Sequence, residues 1–288
     1  TYICVLKACG ILGYLELGKD IDAEVRRRGL LLKDIVLTTT LIDMYTKCGA
    51  LEKARELFDQ LPMRNVVSWN ALMGGYIQHG HHEEALTCFQ HMQDGEISPN
   101  AVTYMTILKA CGSLGASEIG KDIDMKIRKK GLLKKDVVLG NILIDMYAKC
   151  GMLEKAREIF EQILVRDVVS WNAMISGYAQ LGDADMVSKL FRKMSIKGFR
   201  PNPVTFLALL MAYSHGGLLN EGEKLFNDMC IVFHFVPTLE HYTCMVDLFG
   251  RAGHFDKVKA CLDKVPNSSQ LLLFRCVLGS CREWKNLK

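Results

Sequence analysis

Apolar residues along this chain fall in short stripes at helical spacing. Leu41, Ile42, Met44 and Tyr45 form one stripe, and Leu51, Ala54, Leu57 and Phe58 form the next. Lys47-Cys48-Gly49 interrupts them, and a glycine there suits a left-handed turn because it has no Cβ to clash. Leu61-Pro62 is expected to close the second stripe, since proline lacks the N–H a helix needs and constrains the residue before it. The spacing predicts a hairpin of two amphipathic helices. The same grammar returns around Gly80, Gly115, Gly151, Gly182, Gly217 and Gly253, with Pro99, Pro201 and Pro237 closing the longer units. Val-Val-Ser-Trp, at Val66 and again at Val168, could pass for a short strand, but both times it opens a helical pattern. The expected fold class is all-α.

The hairpins repeat with a fixed period. RNVVSWNALMGGYIQHG begins at Arg64, and RDVVSWNAMISGYAQLG begins 102 residues later at Arg166. LIDMYTKCGALEKARELF from Leu41 returns as LIDMYAKCGMLEKAREIF from Leu143, and LKACG ending at Gly10 returns ending at Gly112. Boundaries after Asp34, Asn65, Asn100, Asp136, Asp167 and Asn202 divide each cycle into units of 31, 35 and 36 residues. One such hairpin cannot bury its apolar faces alone. Stacked neighbours can, which predicts an α-solenoid of helix-turn-helix units with a concave surface.

Composition narrows the classes. The 288 residues are 49% hydrophobic and 24% charged, as in an ordered soluble protein, and no apolar run approaches the roughly 18 residues of a membrane span. A net charge of +4 permits a polyanion partner without demanding one. No signal or transit peptide is visible, and Thr1 opens in the middle of a unit, as expected of a piece of a longer chain. The eleven cysteines are odd in number and include no Cys-x-x-Cys, while Cys9/Cys111 and Cys48/Cys150 fall in equivalent slots. They are expected to be small buried hydrophobes in a reducing compartment, without zinc or disulfides.

The unit lengths and the words Val-Val-Ser-Trp-Asn and Leu-Ile-Asp-Met-Tyr-x-Lys-Cys-Gly resemble pentatricopeptide repeats, over essentially the whole chain. The three alternating lengths are similar to the plant subclass that cycles long, short and standard repeats. On that resemblance the units are a truncated long repeat 1–34, a short repeat 35–65, a standard repeat 66–100, a long repeat 101–136, a short repeat 137–167 and a standard repeat 168–202. A variant long repeat 203–238 and a variant short repeat 239–266 follow, and 267–288 resembles the start of an E-type C-terminal extension.

The resemblance implies that each repeat holds one base of single-stranded RNA through its fifth and last residues. The pairs are Thr39/Asn65, Asn70/Asn100, Asn141/Asp167 and Asn172/Asn202, with Met105/Asp136 and Leu207/Thr238 in the long units. Asparagine offers a donor and an acceptor, whereas ionised aspartate only accepts. Last-slot Asn therefore suits cytosine or adenine, last-slot Asp suits uracil, and the short Thr39 leaves room for a purine. These residues sit near helix starts, so capping is the other role open to them. Val36, Val67, Val102, Val138, Val169 and Val204 occupy the second slot, where the resemblance implies that apolar side chains sandwich each base; core packing would serve equally. Glu240 breaks that set. Lys47, Lys149 and Arg251, in phase at the turn after the first helix, could meet phosphates or simply be solvated.

Other clusters suggest less. Arg26-Arg27-Arg28 and Lys126-Ile127-Arg128-Lys129-Lys130 favour helix C-termini and an outer face. His81-His82-Glu83 holds the His-x-Glu half of a zinc-deaminase signature, without the Pro-Cys-x-x-Cys half. No catalytic residues, metal or cofactor are expected, so the chain is not expected to be an enzyme. The expected role is that of a specificity factor for RNA processing in a plant mitochondrion or chloroplast, above all cytidine-to-uridine editing, with a deaminase or accessory factor in trans. A tetratricopeptide-like protein-binding scaffold is the alternative.

Overall fold

Leu41, Ile42, Met44 and Tyr45 are buried along α3 (Ile35–Lys47), and Ala54, Leu57 and Phe58 along α4 (Leu51–Asp59). Gly49 joins the two helices at φ +77°, and two bonds close the turn: Gly49 N–H to Thr46 O and Ala50 N–H to Tyr45 O. A left-handed residue here lets the chain reverse while the last carbonyls of α3 stay paired.

The computed structural model describes residues 2–31, 34–134, 136–266, 273 and 279. The proposed extension, 267–288, lies outside them but for two residues. Sixteen α-helices are present among the described residues, and no strand. The chain divides into two units, 1–146 and 147–288, with the boundary inside α9 (Val137–Lys149).

In the first unit α1 (Tyr2–Leu12), α3, α5 (Val66–Gln78) and α7 (Ala101–Leu114) pack side by side as first helices. Each is followed by a second helix, α2 (Leu15–Arg27), α4, α6 (His82–Asp94) and α8 (Ser117–Lys129). In the second unit α11 (Val168–Gln180), α13 (Pro203–His215) and α15 (Leu239–Ala252) form the corresponding row. Their second helices are α12 (Ala184–Ile196), α14 (Leu219–Ile231) and α16 (Phe255–Leu262), and α10 (Leu153–Gln162) precedes them. Neighbouring hairpins bury one another's faces, and the fold is an all-α solenoid of stacked helix-turn-helix repeats.

The word Val-Val-Ser-Trp-Asn begins a helix. Asn65 caps α5, Ser68 completes the capping box, Val67 is exposed, and Trp69 packs edge-on against Phe58 at 4.5 Å. Asp167, Ser170, Val169, Trp171 and Phe160 repeat this in the second unit, with the rings 4.9 Å apart. First helices approach closely where the sequence is small: a Cβ on Gly75 would lie 2.2 Å from the Thr46 Cβ.

α4 ends just before Leu61-Pro62, with Gln60 as its C-cap. The helix stops at Asp59, and Arg64 reaches back with its guanidinium 5.0 Å from the Phe58 ring centroid, donating to Phe58 O and Asp59 O at 3.4 Å. Arg166 does the same for α10, donating to Phe160 O at 2.8 Å and Glu161 O at 3.0 Å. A cation there adds a charged partner at the helix C-terminus, where the dipole favours positive charge; Phe58 O also accepts from Leu61 N–H at 3.2 Å.

Cys9, Cys88, Cys111 and Cys261 are buried, and burial pushes the Cys88 thiol up to about 11. Cys4 is exposed, so packing does not account for it. The basic run of α2 lies on acids of its own helix, with Arg26 on Asp22 at 2.9 Å and Arg27 and Arg28 on Glu24. Among the described residues no helix is long and apolar enough to cross a membrane, and no three His, Cys, Asp or Glu group as metal ligands.

Candidate nucleic-acid interface

The second-slot valines do not pack in the core. Val36, Val67 and Val102 are 63%, 59% and 52% exposed, and Val138, Val169 and Val204 are also exposed. In the first unit Val36, Val67 and Val102 line one groove of about 540 Å³ together with Thr39, Asn65, Asn70 and Asn100. Residues three apart on a helix share a face, so slots two and five open onto the same side. Lys7 and Asp43 also line the groove, which therefore carries charge of both signs.

Last-slot residues cap the helices that follow them. Asn65 Oδ1 accepts from Val67 N–H and Ser68 N–H, both at 3.0 Å, and Asn100 Oδ1 accepts from Thr103 N–H at 3.0 Å. A backbone N–H can only donate, so the atom facing it is the amide oxygen, and Nδ2 occupies the other branch. Capping and base contact therefore do not exclude each other, because the oxygen caps and the amino group is the end that remains.

The fifth-slot residues differ. Asn70 Nδ2 donates to Asn100 Oδ1 at 3.2 Å, and Thr103 Oγ1 donates to Asn70 Oδ1 at 2.8 Å. Asn70 thus has a structural task, tying its own helix to the start of the next unit. Thr39 has none: it is 8% exposed, and its Oγ1 is buried without a hydrogen-bond partner.

The second unit repeats the Asn70 arrangement. Asn172 Nδ2 donates to Asn202 Oδ1 at 3.0 Å, and Thr205 N–H donates to the same oxygen at 3.1 Å. Asp167 caps α11, with Oδ1 accepting from Ser170 N–H at 2.8 Å and from Ser170 Oγ at 3.0 Å. Asn141 is buried in α9. In the long units Asp136 Oδ1 accepts from Val138 N–H and Leu139 N–H, and the Thr238 hydroxyl is engaged by Glu240 and His241.

The cationic row sits in the last turn of the first helices rather than in the turn after them. Lys47 ends α3, Lys149 ends α9 and Arg251 precedes the end of α15. Lys47 Nζ pairs with Asp43 at 2.7 Å, and Arg251 with Asp247 at 2.9 Å.

Residues 64–113 and 166–215 match the model of the PPR repeat family, and residues 36–66, 141–168, 204–230 and 240–268 match that of the PPR repeat. The chain belongs to the pentatricopeptide repeat family. Among Arabidopsis thaliana relatives, it is 40% identical over 296 residues to the pentatricopeptide repeat-containing protein CRR2, chloroplastic, covering all of this chain and 44% of that one. It is 39% identical to At1g08070, chloroplastic, and 37% identical to At1g06140, mitochondrial, spanning its own whole length and 39% and 51% of theirs. The chain thus spans about half the length, or less, of these relatives. The crystal structure of the pentatricopeptide repeat protein PPR10 in complex with an 18-nt psaJ RNA element matches at TM-score 0.59 and 18% identity, over 94% of this chain and 46% of that one.

Sequence reasoning missed the third slot of each pentatricopeptide unit. Thr103 and Thr205 are fully buried, lie 102 residues apart and contact the fifth-slot Asn of the preceding unit. That phase was legible, but nothing in it said that the hydroxyl turns backward to the neighbouring repeat.

Proposed function

We propose that the chain binds single-stranded RNA sequence-specifically, one base per repeat, without catalysing a reaction itself. The convergence of Val36, Thr39, Asn65, Val67, Asn70 and Asn100 on one groove carries this proposal. Apolar side chains there can flank a base on both faces while the paired polar groups meet its edge. Asn141, Asp167 and Asn172, with Asn202, Val138 and Val169, are assigned the same tasks in the later repeats, and Lys47 and Lys149 meet phosphates.

The alternating unit lengths support the long, short and standard subclass with the boundaries given above, ending in the start of an E-type extension. With that subclass and chloroplastic and mitochondrial relatives, the role that fits is an organellar specificity factor for cytidine-to-uridine editing. A deaminase would then act in trans or from a further part of the protein.

Read in parallel with the chain, the pairs specify 5′-A-Y-N-U-Y-3′, with cytosine favoured over uracil at the second and fifth positions. Selection from a random RNA pool at fixed salt tests this. Enrichment of that core is expected, and a bound pool with no common sequence would sink the proposal.

A further inference from the structure

Resting on the base-reading proposed above, we infer that Thr103 and Thr205 are positioning residues that lock the amide pairs Asn70/Asn100 and Asn172/Asn202 in one orientation. The Thr103 backbone N–H can only donate, so the atom it meets at 3.0 Å is Asn100 Oδ1. Facing that oxygen at 3.2 Å, the Asn70 atom must be Nδ2. Asn70 Oδ1 then lies on the other branch and takes the Thr103 hydroxyl proton at 2.8 Å. The hydroxyl oxygen accepts Asn100 N–H at 3.2 Å, which closes the ring of bonds.

The backbone N–H groups and the two amides have fixed roles in this ring, and the hydroxyl proton takes the shorter of its two bonds, to Asn70 Oδ1. Asn100 Oδ1 faces the Thr103 N–H and Asn70 Nδ2, with the Thr103 hydroxyl also 3.1 Å away, so the branch left for a base is the Nδ2 donor. A donor favours cytosine N3 and opposes uracil N3–H. Thr205 builds the same ring in the second unit, with its hydroxyl on Asn172 Oδ1 at 2.6 Å and Asn202 N–H on Oγ1 at 3.1 Å. The two rings arise from separate stretches of sequence and agree bond for bond.

Third-slot chemistry follows the fifth slot of the unit before it. Hydroxyls at Ser68, Thr103, Ser170 and Thr205 follow the polar Thr39, Asn70, Asn141 and Asn172, whereas Leu139 and His241 follow the apolar Met105 and Leu207. Threonine occurs where Asn70 and Asn172 need locking. Ser68 instead bonds only within its own capping box, with Oγ 2.9 Å from Asn65 O, and Thr39 stays unpartnered.

The lock is tested with two synthetic RNAs that differ only in cytosine or uracil at the second position of the core. Thr103→Val removes the hydroxyl at nearly equal volume and leaves only the 3.2 Å bond to Asn100 Oδ1 to orient the Asn70 amide. The cytosine-to-uracil affinity ratio is expected to fall by about 3- to 10-fold, the scale of one hydrogen bond. The preference for adenine at the first position, under Thr39/Asn65, should stay at its wild-type value, and Thr103→Ser should restore the ratio. A loss arising only from unfolding would weaken all RNAs alike and overturn the proposal. An unchanged ratio in Thr103→Val, where Asn100→Asp shifts it, also overturns the proposal. If Asn100→Asp does not move the ratio, the base-reading itself fails. The lock then stands or falls on hydrogen exchange of the Asn70 side-chain amide in the RNA-free protein, and equal rates in wild type and Thr103→Val refute it.

Discussion

Thr39 carries a hydroxyl that the fold leaves idle. A buried hydroxyl without a partner costs stability, and no neighbour explains its presence. Threonine in a helix has two accessible χ1 rotamers, so a turn of the side chain can bring the hydroxyl toward a base in the groove. Thr39→Val should therefore leave thermal stability unchanged or raise it by up to about 1 kcal/mol while lowering affinity for RNA with adenine at the first position. A variant that melts lower and binds as before would make Thr39 structural. Asn65→Asp tests the other half of the pair. Its Oδ1 is held by two backbone N–H groups, so the change replaces the outward amino group with an acceptor. Adenine N1 also accepts, whereas guanine N1–H donates. Preference should move from adenine to guanine by severalfold, the effect of a mismatch of about 1–3 kcal/mol. Equal weakening of both RNAs would mean that Asn65 only caps.

At the scale of the element, the first helices depend on small residues where they touch. The missing side chain of Gly75 makes room for the Thr46 Cβ, an atom next to the backbone that cannot swing aside. Gly74, one residue earlier, has open space around its Cβ position. Gly75→Ala should cost about 1–3 kcal/mol through overpacking, and Gly74→Ala should gain up to about 1 kcal/mol from helix propensity. Denaturant titration of both variants checks this, and similar values for the two would refute the close approach of α3 and α5.

At the scale of the whole molecule, affinity has a part that ignores sequence. Lys47 is paired with Asp43, but both are more than a third exposed, and such pairs contribute only about 0–1 kcal/mol, so a phosphate can compete for the lysine. Lys47→Ala should weaken every RNA alike and reduce the salt slope by about 0.7. Asp43→Asn, which removes a negative charge from the groove wall, should strengthen every RNA. A Lys47→Ala variant that loses affinity for one sequence alone would move that lysine from the backbone to a base.

The sequence by itself determined the hairpins and their phase, because helical periodicity and left-handed glycines are local. Gly49 and Gly151 mark their turns whatever packs around them, and the 102-residue cycle carries Asn70 onto Asn172. Only the tertiary structure decided between roles that one residue type can play. Val36 and Val67 would suit a core equally well by composition, and stacking left them at the groove. Pro62 marked the end of α4 in the sequence, but that Arg64 covers it, with the chain folded back over Phe58, did not show there. The fate of Asn70, bound to Asn100 and Thr103 some thirty residues on, depends on two helices meeting, and no local pattern encodes such a contact.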